Sequence, residues 1–165
     1  MYCTSLKTPV GRLQVFADDH ALYQITFPTC MEKIHVASTA PQGHPLLSAA
    51  AAQLTEYFEG RRQDFDLPLS VQGTSFQQDV WRLMEQIPYG ETRTYGELAA
   101  RLGNPNKARA VGGAANKNTL PLVIPCHRVM GSGGKLTGFA GGLETKQFLL
   151  TLEQKRAQPS AATDT

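Results

Sequence analysis

Three short runs of strand character fill the first 27 residues, and every long periodic segment after them is helical; this order most narrows the folds open to the chain. Tyr2 to Leu6, Arg12 to Ala17 and Ala21 to Phe27 are separated by Thr8-Pro9-Val10-Gly11 and by Asp18-Asp19, which is turn chemistry suited to antiparallel neighbours. Strands that follow one another through tight turns, with no helix between them, predict an α+β fold with a small antiparallel sheet. In residues 45–59, Leu46, Leu47, Ala50, Leu54, Tyr57 and Phe58 fall at helical spacing, and Gly60 supplies a stop. One helix is therefore expected to cover the sheet.

A length of 165 residues suffices for one core or two small lobes. Residues 1–73 read as a scaffold lobe, because His20, His35 and His44 lack partners at motif spacing and no phosphate loop is present. A second lobe, residues 74–155, opens with Thr74-Ser75-Phe76-Gln77, which fits a capping box. Phe76, Val80, Leu83, Met84 and Ile87 continue as one helical face, with Trp81 expected to join its packing. Thr94-Tyr95-Gly96-Glu97 caps another helix, Gly103-Asn104-Pro105 stops it, and a segment rich in small residues runs from Asn106 to Asn116. Two short helices across such a turn predict a helix-turn-helix. Leu120-Pro121-Leu122-Val123-Ile124 reads as a buried extended segment, and residues 144–154 read as a final helix whose apolar positions include Phe148, Leu149 and Leu152. Residues 156–165 read as a disordered tail.

Charge divides along the same boundary. Residues 1–75 carry five Lys/Arg and seven Asp/Glu, a net −2, whereas residues 76–165 carry eleven and seven, a net +4. Arg93, Arg101, Lys107, Arg109, Lys117 and Arg128 face the single acid Glu97 between positions 93 and 128. A solvated basic face would explain that run, but its coincidence with the helix-turn-helix suits a phosphate backbone. No stretch of ~18 apolar residues and no basic-then-apolar leader occurs, so a cytoplasmic protein without a membrane partner is expected. Cys3, Cys30 and Cys126 are odd in number and far apart, which argues against a disulfide framework or a zinc ribbon.

Ile124-Pro125-Cys126-His127-Arg128-Val129 sets a thiol beside an imidazole. A structural core cysteine is one reading, since free cysteine is often buried; a nucleophile is the other. Adjacent residues of an extended chain point to opposite faces, so Cys126 and His127 would not pair directly unless a turn intervenes. A bridging water is the expected link, with Glu153 as a candidate carboxylate to orient His127. The apolar run before Cys126 would by itself raise the thiol pKa.

Pro125 to Val129, together with Ile87-Pro88-Tyr89-Gly90-Glu91-Thr92, Tyr95, Gly103-Asn104-Pro105, Arg109-Ala110-Val111-Gly112 and Gly141-Gly142-Leu143, resembles the O6-alkylguanine-DNA alkyltransferase family over residues 74–153. The resemblance implies a ribonuclease-H-like N-terminal lobe, a winged-helix-like C-terminal lobe, and a monomer acting on double-stranded DNA that contains O6-alkylguanine, with O4-alkylthymine as a further candidate. It implies one irreversible alkyl transfer to Cys126 without a cofactor; some members of the family carry a structural zinc in the N-terminal lobe, but Cys3 and Cys30 do not fall at matching positions, so no metal is expected. Carried over by position, His127 deprotonates Cys126 through a water, Glu153 orients His127, and Tyr95 donates to the departing base. Asn118 ties the backbone near the site, while Val129, Phe139 and Ala140 bind or wall the base. Ala108, Arg109, Ala110 and Arg128 contact DNA, with Arg109 filling the gap left by the flipped nucleotide. Two positions depart from the family pattern: Thr119 stands where proline is usual, and Phe139 where tyrosine is frequent. The first puts loop rigidity in doubt and the second removes a hydroxyl. Three rivals remain: a non-reactive damage-binding relative, a cysteine hydrolase, and a helix-turn-helix regulator with a core cysteine.

Overall fold

A computed structural model describes residues 2–28, 43–136, 139 and 141–157. Cys30, His35, Ala140 and the tail beyond 157 lie outside the described residues. Strands β1 (Tyr2–Thr8), β2 (Gly11–Ala17) and β3 (Leu22–Thr26) form one antiparallel sheet in the order β1-β2-β3. Register runs from Tyr2 opposite Ala17 to Thr8 opposite Gly11, and shifts once between Phe16 and Ala17 where β3 pairs.

Helix α1 (Pro45–Phe58) crosses this sheet and buries Leu47, Ala50, Leu54 and Tyr57 completely. Each such aliphatic side chain contributes ~2 kcal/mol when removed from water. Its first turn is closed by His44, whose ring nitrogen accepts from the Leu47 N–H, with Pro45 at the first helical position where no N–H is needed. The histidine thus has a capping task.

The second lobe is helical: α2 (Ser75–Glu85), α3 (Tyr95–Arg101), α4 (Ala108–Asn116) and α5 (Leu143–Ala157). Thr74 with Gln77 and Thr94 with Glu97 form reciprocal capping boxes on α2 and α3, as the spacing predicts. Gly103, at φ 90°, lets the chain leave α3, and a 3-10 turn at Pro105–Lys107 leads into α4. Buried Trp81 of α2 donates its indole N–H to the Ala114 carbonyl at 2.9 Å, pinning α4 to the lobe's core. A two-residue parallel ladder of β4 (Arg93–Thr94) and β5 (Val129–Met130) then joins the start of α3 to the chain just after Cys126.

Within the first lobe, Leu22 bonds to Pro68 and Ser70 on either side of Leu69, and between the lobes the Ile25 N–H donates to the Thr119 carbonyl at 2.9 Å. Three sequence expectations change. Leu120 to Ile124 is buried but turned, not extended: Asn118 Oδ1 accepts from the Leu120 N–H at 2.9 Å, Asn118 Nδ2 donates to the Ile124 carbonyl at 2.8 Å, and Leu122 sits at φ 76°. Helix α5 reaches Ala157, so Arg156 and Ala157 belong to it and not to a disordered tail. The buried face of α5 is Lys146, Leu149, Leu150 and Glu153, whereas Phe148 is 39% exposed. Among the described residues no helix is long and apolar enough to cross a membrane.

Candidate active site

Pro125 fixes its own φ and offers no N–H, and the chain turns directly after it into a 3-10 turn, Cys126–Arg128. Cys126 and His127 are therefore on a turn and not an extended strand. They still form no direct hydrogen bond: His127 is fully buried, its Nε2 lies 2.6 Å from Glu153 Oε2, and its Nδ1 is buried without a partner.

Glu153 is 1% exposed and is held from three sides. Arg128 donates through Nε to Oε1 at 2.7 Å and through Nη2 to Oε2 at 3.0 Å, and Tyr57 donates its hydroxyl to Oε2 at 2.5 Å. Burial would raise the Glu153 pKa, but His127 and Arg128 outweigh it and hold the carboxyl at about 2. It is an anion at neutral pH. Burial lowers the His127 pKa against the pull of Glu153, so the imidazole is neutral. A neutral ring facing a carboxylate carries its proton on Nε2, which leaves Nδ1 with an acceptor lone pair. The site thus holds a base ready to take one proton.

The thiol itself is half-buried. Burial pushes Cys126 up to about 11, opposed by the Asn118 side chain and by the charge of Lys146. Lys146 is fully buried and donates its ammonium to the Val129 carbonyl at 2.6 Å, beneath the nucleophile's turn. That carbonyl keeps only its second lone pair for a ligand.

Tyr95, Asn118, Cys126 and Phe139 line one narrow cleft of about 10 Å³, together with Ala115, Asn116 and Pro121. It adjoins, through Tyr95 and Asn116, a groove of about 690 Å³ whose walls include Ala108, Arg109 and Gly112 of α4 and Ser132 and Gly133 of the following loop. Arg109 and Ala110 are exposed at the start of α4, as a reading helix requires. Phe139 packs on Phe27 with ring centroids 5.4 Å apart, and Gly141 makes room for the pair, since a Cβ there would meet both rings at about 2.9 Å. Thr119 has its carbonyl bound by Ile25 and is followed by the Asn118-clamped turn, so hydrogen bonds fix this loop where proline is absent.

Arg128 does not occupy the surface expected of a DNA contact. It is 5% exposed, and besides Glu153 it donates to the Ile87 carbonyl at 2.7 Å. Lys146 and Tyr57 are participants that the sequence alone does not single out. Lys146 lies seven residues before Glu153 on a helix face otherwise made of leucines, and a charge at a core position of a helix is the available signal. Tyr57 looks like any core aromatic of α1, and nothing local announces a partner 96 residues away. Among the described residues no group of three His, Cys, Asp or Glu is placed to hold a metal ion.

A relay-backed cysteine opening beneath the second helix of a helix-turn-helix defines the class: a nucleophilic cysteine protein with a helical recognition face. The chain belongs to the 6-O-methylguanine DNA methyltransferase family, matching the family's DNA binding domain over residues 75–155 and its ribonuclease-like domain over residues 1–71. It is 44% identical over 153 residues to the methylated-DNA--protein-cysteine methyltransferase of Methanosarcina acetivorans, covering 93% of this chain and 98% of that one. The Mycolicibacterium paratuberculosis protein of the same name is 50% identical over 157 residues, covering 94% of each. The crystal structure of Mycobacterium tuberculosis OGT in complex with DNA superimposes with a TM-score of 0.87 at 39% identity, over 94% of each chain.

Proposed function

We propose that this protein repairs DNA by moving the alkyl group of O6-alkylguanine onto its own Cys126, once per molecule. The observation that carries this reading is the geometry of the site: His127 Nε2 lies 2.6 Å from Glu153 Oε2 and its buried Nδ1 has no partner, behind a thiol in a cleft next to α4. Nδ1 takes the Cys126 proton through a water, and the thiolate attacks the alkyl carbon. The C–S bond forms as the O6–C bond breaks, and the electron pair leaves with the guanine, which Tyr95 assists by donating to the base. The thioether product is stable to water, so no turnover follows.

The substrate base must leave the duplex to reach the thiol, at a cost of a few kcal/mol that is smaller for a damaged pair. Arg109, exposed on the groove of α4, fills the vacated stack, while Ala108 and Ala110 allow close approach of the backbone. The narrow cleft widens to admit the base, and its Phe139 wall is held by ring packing with no hydroxyl to tether it. Asn118 holds the turn before the thiol, and the main chain of Val129 binds the base edge, while Ala140, which the family resemblance assigns to the same edge, lies outside the described residues.

Intact mass after incubation with an oligonucleotide containing O6-methylguanine tests this. One added methyl on the Cys126 peptide and one equivalent of repaired base are expected. No shift, or a shift that survives Cys126→Ser, overturns the reading, and the latter result would make Cys126 a core residue.

A further inference from the structure

We propose that Tyr57, contributed by the N-terminal lobe, is a positioning residue for the alkyl-transfer relay, its hydroxyl fixing the Glu153 oxygen that holds His127. This rests on the transfer chemistry proposed above and deepens it, because it gives the scaffold lobe a part in the reaction.

Tyr57 is fully buried on α1, with Phe58, Phe65 and Tyr89 around its ring at centroid distances of 5.3, 5.5 and 6.3 Å. Phenylalanine would fill that aromatic nest equally well. The hydroxyl is the only part that needs explaining, since burying it is unfavourable unless it finds a partner. Its hydrogen bond goes to Glu153 Oε2, the same oxygen that holds His127 Nε2. The two carboxylate oxygens are loaded unequally: Oε1 receives Arg128 Nε, whereas Oε2 receives Tyr57, His127 and Arg128 Nη2. Arg128 alone would hold the carboxylate in the plane of its fork. Tyr57 adds a donor from a different element and fixes Oε2 against sliding along the guanidinium, and so fixes the angle at which the imidazole presents Nδ1.

The phenol also disperses negative charge on Oε2. Without it the Glu153 anion would stabilise an imidazolium more strongly, and a protonated Nδ1 cannot accept the thiol proton. The ionisable groups facing His127 and Glu153 are Tyr57 from α1, Tyr89 from the segment before β4, Cys126 and Arg128 from the 3-10 turn, and Lys146 from α5. Of these side-chain types only imidazole ordinarily titrates near neutral pH, so the acid limb of the transfer rate reports His127.

Single-turnover methyl transfer from duplex DNA containing O6-methylguanine is measured across pH for wild type and Tyr57→Phe, with DNA affinity measured separately and the imidazole nitrogens followed by 15N NMR. Loss of one hydrogen bond to a charged group predicts a limiting rate lower by about tenfold, unchanged DNA affinity, an acid limb at higher pH and a weakened Nε2–H signature for His127. Incorporating 3-fluorotyrosine at position 57, a stronger donor that fills nearly the same space, moves the acid limb to lower pH. A Tyr57→Phe protein with wild-type limiting rate, pH profile and imidazole spectrum overturns the proposal, even if it melts at lower temperature; so does a fluorotyrosine protein whose limb moves upward or stays in place. Wild-type protein that transfers no methyl refutes the transfer reading and Tyr57's part in it together, whereas wild-type transfer with an indistinguishable variant refutes only the part of Tyr57.

Discussion

Arg128→Leu separates a buried counter-ion from a surface contact with phosphate. Leucine keeps much of the apolar stem but leaves Glu153 without its fork, in a position only 1% exposed. Glu153 is subject to burial, which raises its pKa, and to His127 and Arg128, which together bring it to about 2, against 4.5 for an ordinary glutamate. At about 1.4 kcal/mol per pH unit, that depression represents on the order of 3 kcal/mol of stability. Because the folded-state pKa is the lower one, this stability is present above pH 4.5 and is lost as the pH falls toward 2. Stranding one partner of a buried ion pair typically costs 3–5 kcal/mol, roughly the same magnitude. Arg128→Leu is therefore expected to lower stability by about 3 kcal/mol at pH 7, or roughly 6–12 °C in Tm for a chain of this size, and by much less near pH 3, where the unfolded chain has taken up the proton that the folded wild type still refuses. Thermal and urea unfolding at the two pH values measure this, and DNA titrations at several salt concentrations supply the control. A variant with wild-type Tm whose log–log salt slope falls by about one would refute the buried assignment and return Arg128 to the DNA surface.

Because burial keeps the His127 pKa below the ordinary 6.5, the transfer rate should stay flat as the pH falls to that value and decline only below it, once Nδ1 is protonated; a decline centred above 6.5 contradicts the neutral-imidazole relay. Asn118→Ala removes both side-chain bonds that close the Leu120–Ile124 turn and a hydrogen bond that favours the Cys126 thiolate, so stability should fall by ~2–3 kcal/mol and methyl transfer should slow; unfolding and single-turnover assays measure the two. Arg109→Ala should slow repair in duplex DNA far more than reaction with the free base, read from rates on the two substrates, and equal losses would remove Arg109 from the flipping step.

The local chemistry of the chain was readable where a residue's partner lies close in sequence. Thr74 with Gln77 and Thr94 with Glu97 announce their helices because capping is settled within four residues. The sheet is equally local, since each turn sets the register of its own hairpin. Legibility fails where the decisive contact is distant. Arg128 reads as one more cation in a basic run, and only the arrival of α5 decides that it faces inward toward Glu153. Leu120 to Ile124 has the composition of a buried strand, and the side chain of Asn118 folds it into a turn. On α5 hydrophobicity does not mark the buried face, because Lys146 and Glu153 occupy core positions through their bonds to Val129 and to His127 and Arg128, while Phe148 faces outward.

A nucleophile held near pKa 11 would be a poor choice for a turnover enzyme, since on the order of one thiol in ten thousand is ionised at neutral pH. For a reagent consumed in one reaction the balance differs. A standing thiolate would react with any soft electrophile or oxidant that reached it, and each such event would remove a molecule permanently. The site keeps the thiol protonated by burial while holding the means of deprotonation nearby: the Asn118 amide and the Lys146 charge favour the thiolate without producing it in the resting protein. Proton loss is then favoured only when it is coupled to departure of the guanine, in a cleft that Tyr95 lines together with Cys126. Protection of the unreacted thiol thus has a physical origin in the desolvation of Cys126.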